Sequence, residues 1–245
     1  MRFMPLASLC LLFMTACSSS IVPTPRSAEV LMSEGETFFA ENRYDDAIAA
    51  WEKVRERYVS PEMNALAELN IADAHFQAEH YIEAAVAYEA YLKAYPNDPN
   101  SANVLYNLGV SYHREMLSSE RDQTTTRNAL SAFKTLLARY PTDPRRPAVE
   151  KYIAEEEDTL VGHELHIGAF YQKKGANTAA IARLEPLVAT YPNFSRRDEL
   201  YFILGSAYLH NDKRELAAEY FNRLYKEYPQ SPYTLKAQKL LEQKY

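Results

Sequence analysis

The feature that most constrains this 245-residue chain is an internal period. Tyrosine followed by proline closes four segments, at Tyr95-Pro96, Tyr140-Pro141, Tyr191-Pro192 and Tyr228-Pro229, and Tyr58 fills the same slot without the proline. Eleven residues before each tyrosine stands an alanine (Ala47, Ala84, Ala129, Ala180, Ala217). Seven before it stands a large apolar residue (Trp51, Tyr88, Phe133, Leu184, Phe221). A second pair, small residue then ring, precedes the alanines: Gly35 with Phe38, Ala72 with His75, Gly168 with Tyr171 and Gly205 with Tyr208. In the third copy the pair is Gly109 with Tyr112, displaced by eight extra residues. Small residues let two helices approach closely, and the rings fill the gap to the next pair.

The pattern resembles the tetratricopeptide repeat, which runs W-x₂-L-G-x₂-Y, then A-x₃-F, then P. The closest copy is Tyr201, Leu204, Gly205, Tyr208, Ala217, Phe221 and Pro229, with tyrosine in the place of the tryptophan. Equivalent first positions fall at Ala28, Ala65, Ala102, Val161 and Asp198, in steps of 37, 37, 59 and 37. Two insertions account for the long step: the polar stretch Leu117 to Thr126, and Thr142 to about Leu160. The second leads from Pro144 and Pro147 into an uninterrupted helical pattern running through Gly162 to Lys174. The expected fold is therefore all-α, a right-handed α-solenoid of five helix pairs with a long connecting helix. Repeats 1 to 3 span 28–141, the connecting region 142–160, and repeats 4 and 5 span 161–229. Ser231 as N-cap and Pro232 as first helical residue open a capping helix within 230–245.

The start of the chain speaks for the compartment. One positive charge, Arg2, precedes an apolar run from Leu6 to Met14, too short for the roughly 20 residues of a membrane-spanning helix. It ends in Met14-Thr15-Ala16-Cys17, which resembles the bacterial lipobox, with Met14 where leucine is more usual. That resemblance implies a signal peptide over 1–16, cleavage before Cys17 and acylation of Cys17. Several acyl chains hold a protein far more firmly than one. Ser18, in place of aspartate, resembles the signal for outer-membrane sorting. The Ser- and Pro-rich stretch to Ser27 reads as an extended tether with a reach of about 30 Å, completing a lipidated segment over 17–27.

Several chemistries are disfavoured. Formal charge is −6, from 27 basic and 33 acidic residues, so no nucleic-acid partner is expected. Cys10 and Cys17 are the two cysteines, so the body has no thiol chemistry. Six glycines leave little material for phosphate loops, and no G-x-S-x-G, P-loop or dinucleotide fingerprint occurs. His163-Glu164-Leu165-His166 places its histidines at i and i+3, where zinc-binding H-E-x-x-H needs i and i+4. They read as surface or packing residues. Glu155-Glu156-Glu157-Asp158 reads as a solvated face. No enzyme, cofactor or metal is expected.

A binding face is expected instead. In this repeat class the first helix of each pair lines the concave side, and register positions 2, 5, 9 and 12 form one stripe. They are Glu29, Met32, Glu36 and Phe39, then Leu66, Leu69, Asp73 and Phe76, then Asn103, Tyr106, Val110 and His113. Apolar residues where water is expected suggest a peptide groove, with Met32, Phe39, Leu66, Leu69, Phe76, Tyr106 and His113 as its candidates. Packing against the long helix, or tightening of the superhelix, is the alternative. In repeat 4 the stripe, Gly162, Leu165, Ala169 and Gln172, carries no aromatic and points to a different partner.

Five repeats behind a lipobox resemble the BamD family, lipoproteins of the outer-membrane β-barrel assembly machine. The resemblance rests on Arg121-Asp122-Gln123-Thr124 with Thr126-Arg127, on His163-Glu164-Leu165 with Tyr171, Gly175 and Ala176, on Ala180 to Leu184, and on the placement of the insertions. Val59, where the family usually has proline, and a short C-terminal tail depart from it. The resemblance implies an outer-membrane lipoprotein on the periplasmic face. Its C-terminal repeats would bind the periplasmic domains of a BamA-like barrel assembly subunit, with other assembly lipoproteins as further expected partners. Its N-terminal repeats would engage unfolded outer-membrane proteins. Lys174 and Arg183 are the candidates for the subunit contact. Another periplasmic tetratricopeptide lipoprotein, a pilotin for a secretin or pilus or a coordinator of peptidoglycan synthesis, is the alternative.

Overall fold

The structure, a computed structural model, describes residues 26–57 and 60–244. The expected signal peptide, Cys17, most of the tether, Tyr58 and Val59 lie outside the described residues. Among those described there are eleven helices and no strand: α1 (Ala28–Ala40), α2 (Tyr44–Arg57), α3 (Pro61–Gln77), α4 (Tyr81–Ala94), α5 (Ser101–Arg114), α6 (Thr124–Arg139), α7 (Arg146–Lys173), α8 (Asn177–Thr190), α9 (Arg197–His210), α10 (Arg214–Glu227) and α11 (Pro232–Lys244). Each but the last packs chiefly on its neighbours in sequence, as a stack of helix pairs must, and α11 lies on α9 as well as α10. No described helix is long and apolar enough to cross a membrane.

The small and large residues of the period meet inside each pair. A Cβ added at Gly35 would lie 2.2 Å from Trp51, at Gly109 2.5 Å from Phe133, at Gly168 2.4 Å from Leu184 and at Gly205 2.5 Å from Phe221. The glycines are therefore there for close approach of one helix to a large side chain of the next. The repeat alanines are sealed: Ala47, Ala84, Ala129 and Ala180 are 0% exposed. Trp51 satisfies its indole by donating to the Met32 carbonyl at 3.2 Å.

Local signals set the helix ends. Ser27 caps α1 and Ser60 caps α3, the latter followed by Pro61 in the first turn, where a missing N–H costs nothing. Within four of the pairs a single residue in the left-handed region turns the chain: Asn42, Glu79, Gly175 and Asp212. Repeat 3 makes this turn with its insertion instead. That insertion is docked, not loose. Gln123, 1% exposed, donates to the carbonyls of Ser118 (2.8 Å) and Arg121 (3.0 Å) and accepts from Thr126 (2.9 Å). The Ser119 carbonyl meets His163 Nδ1 at 2.8 Å on α7.

α7 has two jobs. Its first half places Val149, Tyr152 and Ile153 on the core of repeat 3, with Tyr152 stacked on Phe133 at 5.0 Å. Its second half, carrying Val161 and Leu165, begins the core shared by α8 to α11. The expected boundary at 160/161 thus lies inside one unbroken helix. The acidic run needs correction. Its charges do diverge around the helix, but Glu156 is 0% exposed and faces α5, while Asp158 accepts from Ser195 and Glu157 pairs with Lys134. At the far end, Ser231 donates to Asp198 and accepts from the Tyr233 N–H, which starts α11 over α9 and α10.

Candidate peptide groove and partner surface

The stripe of first-helix residues divides into an open and a covered part. On α1, Met32 is 5% exposed and lies in the core of repeat 1. The packing of α2 and α3 against α1 takes it out of the expected groove. Phe39 is half-buried, edge-on to Tyr44 at 5.4 Å and 6.0 Å from Trp51. On α3, Leu66 is 45% exposed, Leu69 is half-buried, and Phe76 lies edge-on to Tyr81 at 5.7 Å and Tyr88 at 6.4 Å. α3 thus presents the open part.

On α5 the first half of α7 does the covering, which is the packing alternative realised for these positions. Val110 is 6% exposed in the same cluster as Tyr152 and Ile153. His113 is likewise removed from a groove: its ring lies 4.6 Å from that of Tyr152, and its Nδ1 is 2.8 Å from Glu156 Oε1. Burial pushes the Glu156 carboxyl up to about 8, helped by Glu155 and Glu157, and burial pushes the His113 imidazole down. The pair therefore favours uncharged partners sharing one hydrogen bond. Glu156 Oε2 has no hydrogen-bond partner.

Tyr106 sits at the border. It lines a cleft of about 300 Å³ between α3 and α5 together with Leu69, Asp73, Asn103, Asn107 and Arg145. The Arg145 guanidinium lies 4.7 Å from the Tyr106 ring centre, is paired with Asp143 and donates to Asn103 Oδ1 at 2.9 Å. Asp73 Oδ1 accepts from the Tyr88 hydroxyl at 2.6 Å and from Asn107 at 3.5 Å. Burial raises the Asp73 carboxyl above its ordinary range, partly offset by these hydrogen bonds.

The second half of the molecule presents a different surface. Leu165 is 0% exposed and Gly162 is buried, so the expected stripe of repeat 4 does not face outward. Leu165 packs into the core shared with α8 to α11, and Gly162 lies under Ser119 of the repeat-3 insertion. Gln172 donates to Ser206 at 2.9 Å. Arg183 is half-buried, ion-paired with Glu164, with its guanidinium 5.9 Å from the Tyr171 ring. Lys174 is exposed, its Nζ 5.7 Å from the ring of Phe170. Phe170, 53% exposed, lies off the predicted stripe and was missed; its spacing of four from Lys174 on one helix face was the available signal. Among the described residues no group of His, Cys, Asp or Glu could hold a metal ion.

The family model YfiO, described as an outer membrane lipoprotein, matches residues 25–219. Relatives named outer membrane protein assembly factor BamD include that of Neisseria gonorrhoeae, 27% identical over 89% of this chain and 86% of its own length. That of Pasteurella multocida is 26% identical over 84% of this chain and 83% of its own. That of Caulobacter vibrioides is 27% identical over 78% of this chain, which spans 62% of that relative's length. Among solved structures, the TPR2AB domain of yeast Sti1 is 15% identical over 88% of this chain and 84% of its own, with a TM-score of 0.43. A family of outer membrane lipoproteins whose relatives are named assembly factors is not a family of enzymes. With a match over residues 25–219, which reaches into α10, the chain belongs to the YfiO family of outer membrane lipoproteins.

Proposed function

We propose that the protein is an outer-membrane lipoprotein of β-barrel protein assembly, anchored through acylated Cys17 with its helical body in the periplasm. Repeats 1 to 3 hold extended segments of unfolded outer-membrane proteins over α3. Phe39, Leu66, Leu69, Phe76 and Tyr106 supply the apolar and aromatic contacts. Repeats 4 and 5 bind the barrel-forming subunit through the surface around Lys174, Phe170 and Arg183. The single observation that carries the reading is the open face of α3 in a chain of this family: Leu66 is 45% exposed beside half-buried aromatics and a cleft of about 300 Å³. A lone exposed leucine needs no explanation, but one continuous with apolar and aromatic neighbours along the same helix face marks a surface where something binds.

Purification of the tagged protein from detergent-solubilised membranes tests it. A large β-barrel protein with periplasmic repeat domains, recovered at near-equal amount, is the expected partner. A secretin, a pilus component or a peptidoglycan synthase in its place transfers the function to the alternative. Cys17→Ala is expected to release the protein from the membrane fraction; retention removes the lipid anchor from the account.

A further inference from the structure

We propose that the cleft between α3 and α5 binds a basic side chain, lysine or arginine, of the segment that occupies the groove, with Asp73 as its counter-charge. This rests on the groove reading above and adds a charge requirement to it. Asp73 is a half-buried carboxylate whose two hydrogen-bond donors, Tyr88 and Asn107, are both neutral. No basic side chain among the described residues forms an ion pair with it. The nearest cation lining the cleft, Arg145, is occupied by Asp143 through two hydrogen bonds of 2.9 and 2.6 Å and is held over Tyr106. An uncompensated carboxylate out of bulk water is expensive, and an incoming cation removes that cost.

The walls suit the rest of such a side chain. Leu69, Val104 and the Tyr106 ring offer apolar surface to a methylene stem, while Asp73 and the amides of Asn103 and Asn107 offer oxygens to its head. The cleft opens beside Leu66 and Phe76 on the same helix, so one extended segment places an apolar residue on α3 and a basic one in the cleft.

The test uses full-length protein, labelled with ¹⁵N at asparagine, and two small probes: N-acetyl-lysine N-methylamide and its norleucine counterpart. The lysine compound is expected to shift the Asn107 side-chain resonances saturably and less strongly as salt rises. The norleucine compound should bind about tenfold more weakly, as a charge-assisted hydrogen bond requires. Asp73→Asn, which keeps an acceptor for Tyr88, should abolish the difference. Equal binding of the two compounds, or an unchanged lysine preference in Asp73→Asn, overturns the proposal. Should Asp73→Asn fail to fold, the lysine-to-norleucine comparison in the unaltered protein decides alone. Lysine binding without binding of any unfolded outer-membrane segment would refute the groove reading and leave this site standing. Segment binding indifferent to lysine-to-norleucine replacement, with no lysine-specific shift, would do the reverse.

Discussion

The two halves of the molecule are built from the same repeat but cohere differently. From Val161 to Ala237 one continuous core joins α7, α8, α9, α10 and α11, and it buries Tyr201, Tyr208 and Phe221 together. Over the first three repeats the buried residues fall into three smaller clusters, one centred on Trp51, one on Tyr88 and one on Phe133. A stack whose units share less core opens more readily one unit at a time. The difference suits the division of labour proposed above: a rigid surface for the barrel-forming subunit, and a looser series of first helices for extended segments of varied sequence.

The sharpest way to break this comparison is to remove one ring from each half. Phe221→Ala and Trp51→Ala each delete a large, buried side chain and should cost about 3–5 kcal/mol. Hydrogen exchange should show Phe221→Ala loosening α8 to α11 together, while Trp51→Ala loosens α1 and α2 and leaves α9 protected. Equal spread of the damage in both variants would refute the contrast.

The seam between the halves is tested by Glu156→Gln. Folded Glu156 holds its proton to about pH 8, against 4.5 for an ordinary glutamate, so its contribution is complete below about 4.5 and is lost as pH rises through 8. His113, lowered by burial, acts oppositely and loses its contribution as pH falls. Thermal melts should therefore show the natural protein losing on the order of 2–4 kcal/mol between pH 5.5 and 8.5, with Glu156→Gln nearly flat over that range. Parallel curves would mean that Glu156 is ionised in the fold.

Smaller effects sharpen the groove itself. Leu66→Ser removes exposed apolar surface at little cost in stability and should weaken binding of an outer-membrane-protein peptide about tenfold by fluorescence anisotropy. Phe39→Ala with Phe76→Ala should weaken it further, but at some cost to the pairs in which those rings pack. Unchanged affinity in Leu66→Ser would reduce the α3 stripe to packing. Smallest of all, Glu79 holds a left-handed backbone that Gly175 holds in repeat 4. Glu79→Gly should raise stability by about 0.5 kcal/mol in a urea titration, the relief of backbone strain exceeding the added freedom of the unfolded chain.

The helix pairs were legible because close approach demands small residues at fixed spacing from large ones, as Gly205 and Phe221 do. The long helix α7 was legible from a run without breakers. What it covers was not. Met32, Val110 and Leu165 satisfy the same stripe as Leu66, yet tertiary contact with α2, α7 and α8 buries them, and no periodicity within one helix reports which neighbour reaches over it. Glu156 hid in a run of four acids, where three do face water or surface partners, and only the arrival of α5 makes the fourth a buried group. The insertion from Leu117 to Thr126 is polar after its first residue, and the buried Gln123 that organises it has no pattern of its own.

The central claim, that substrate and assembly subunit use opposite halves, is tested most directly by placing a photo-crosslinking amino acid at position 66 or at position 170 in living cells. Position 66 on α3 is expected to capture unfolded outer-membrane proteins of many sizes, and position 170 on α7 a single large barrel-forming subunit. Capture of the same partner at both positions, or of the subunit at 66 and nascent chains at 170, would contradict it.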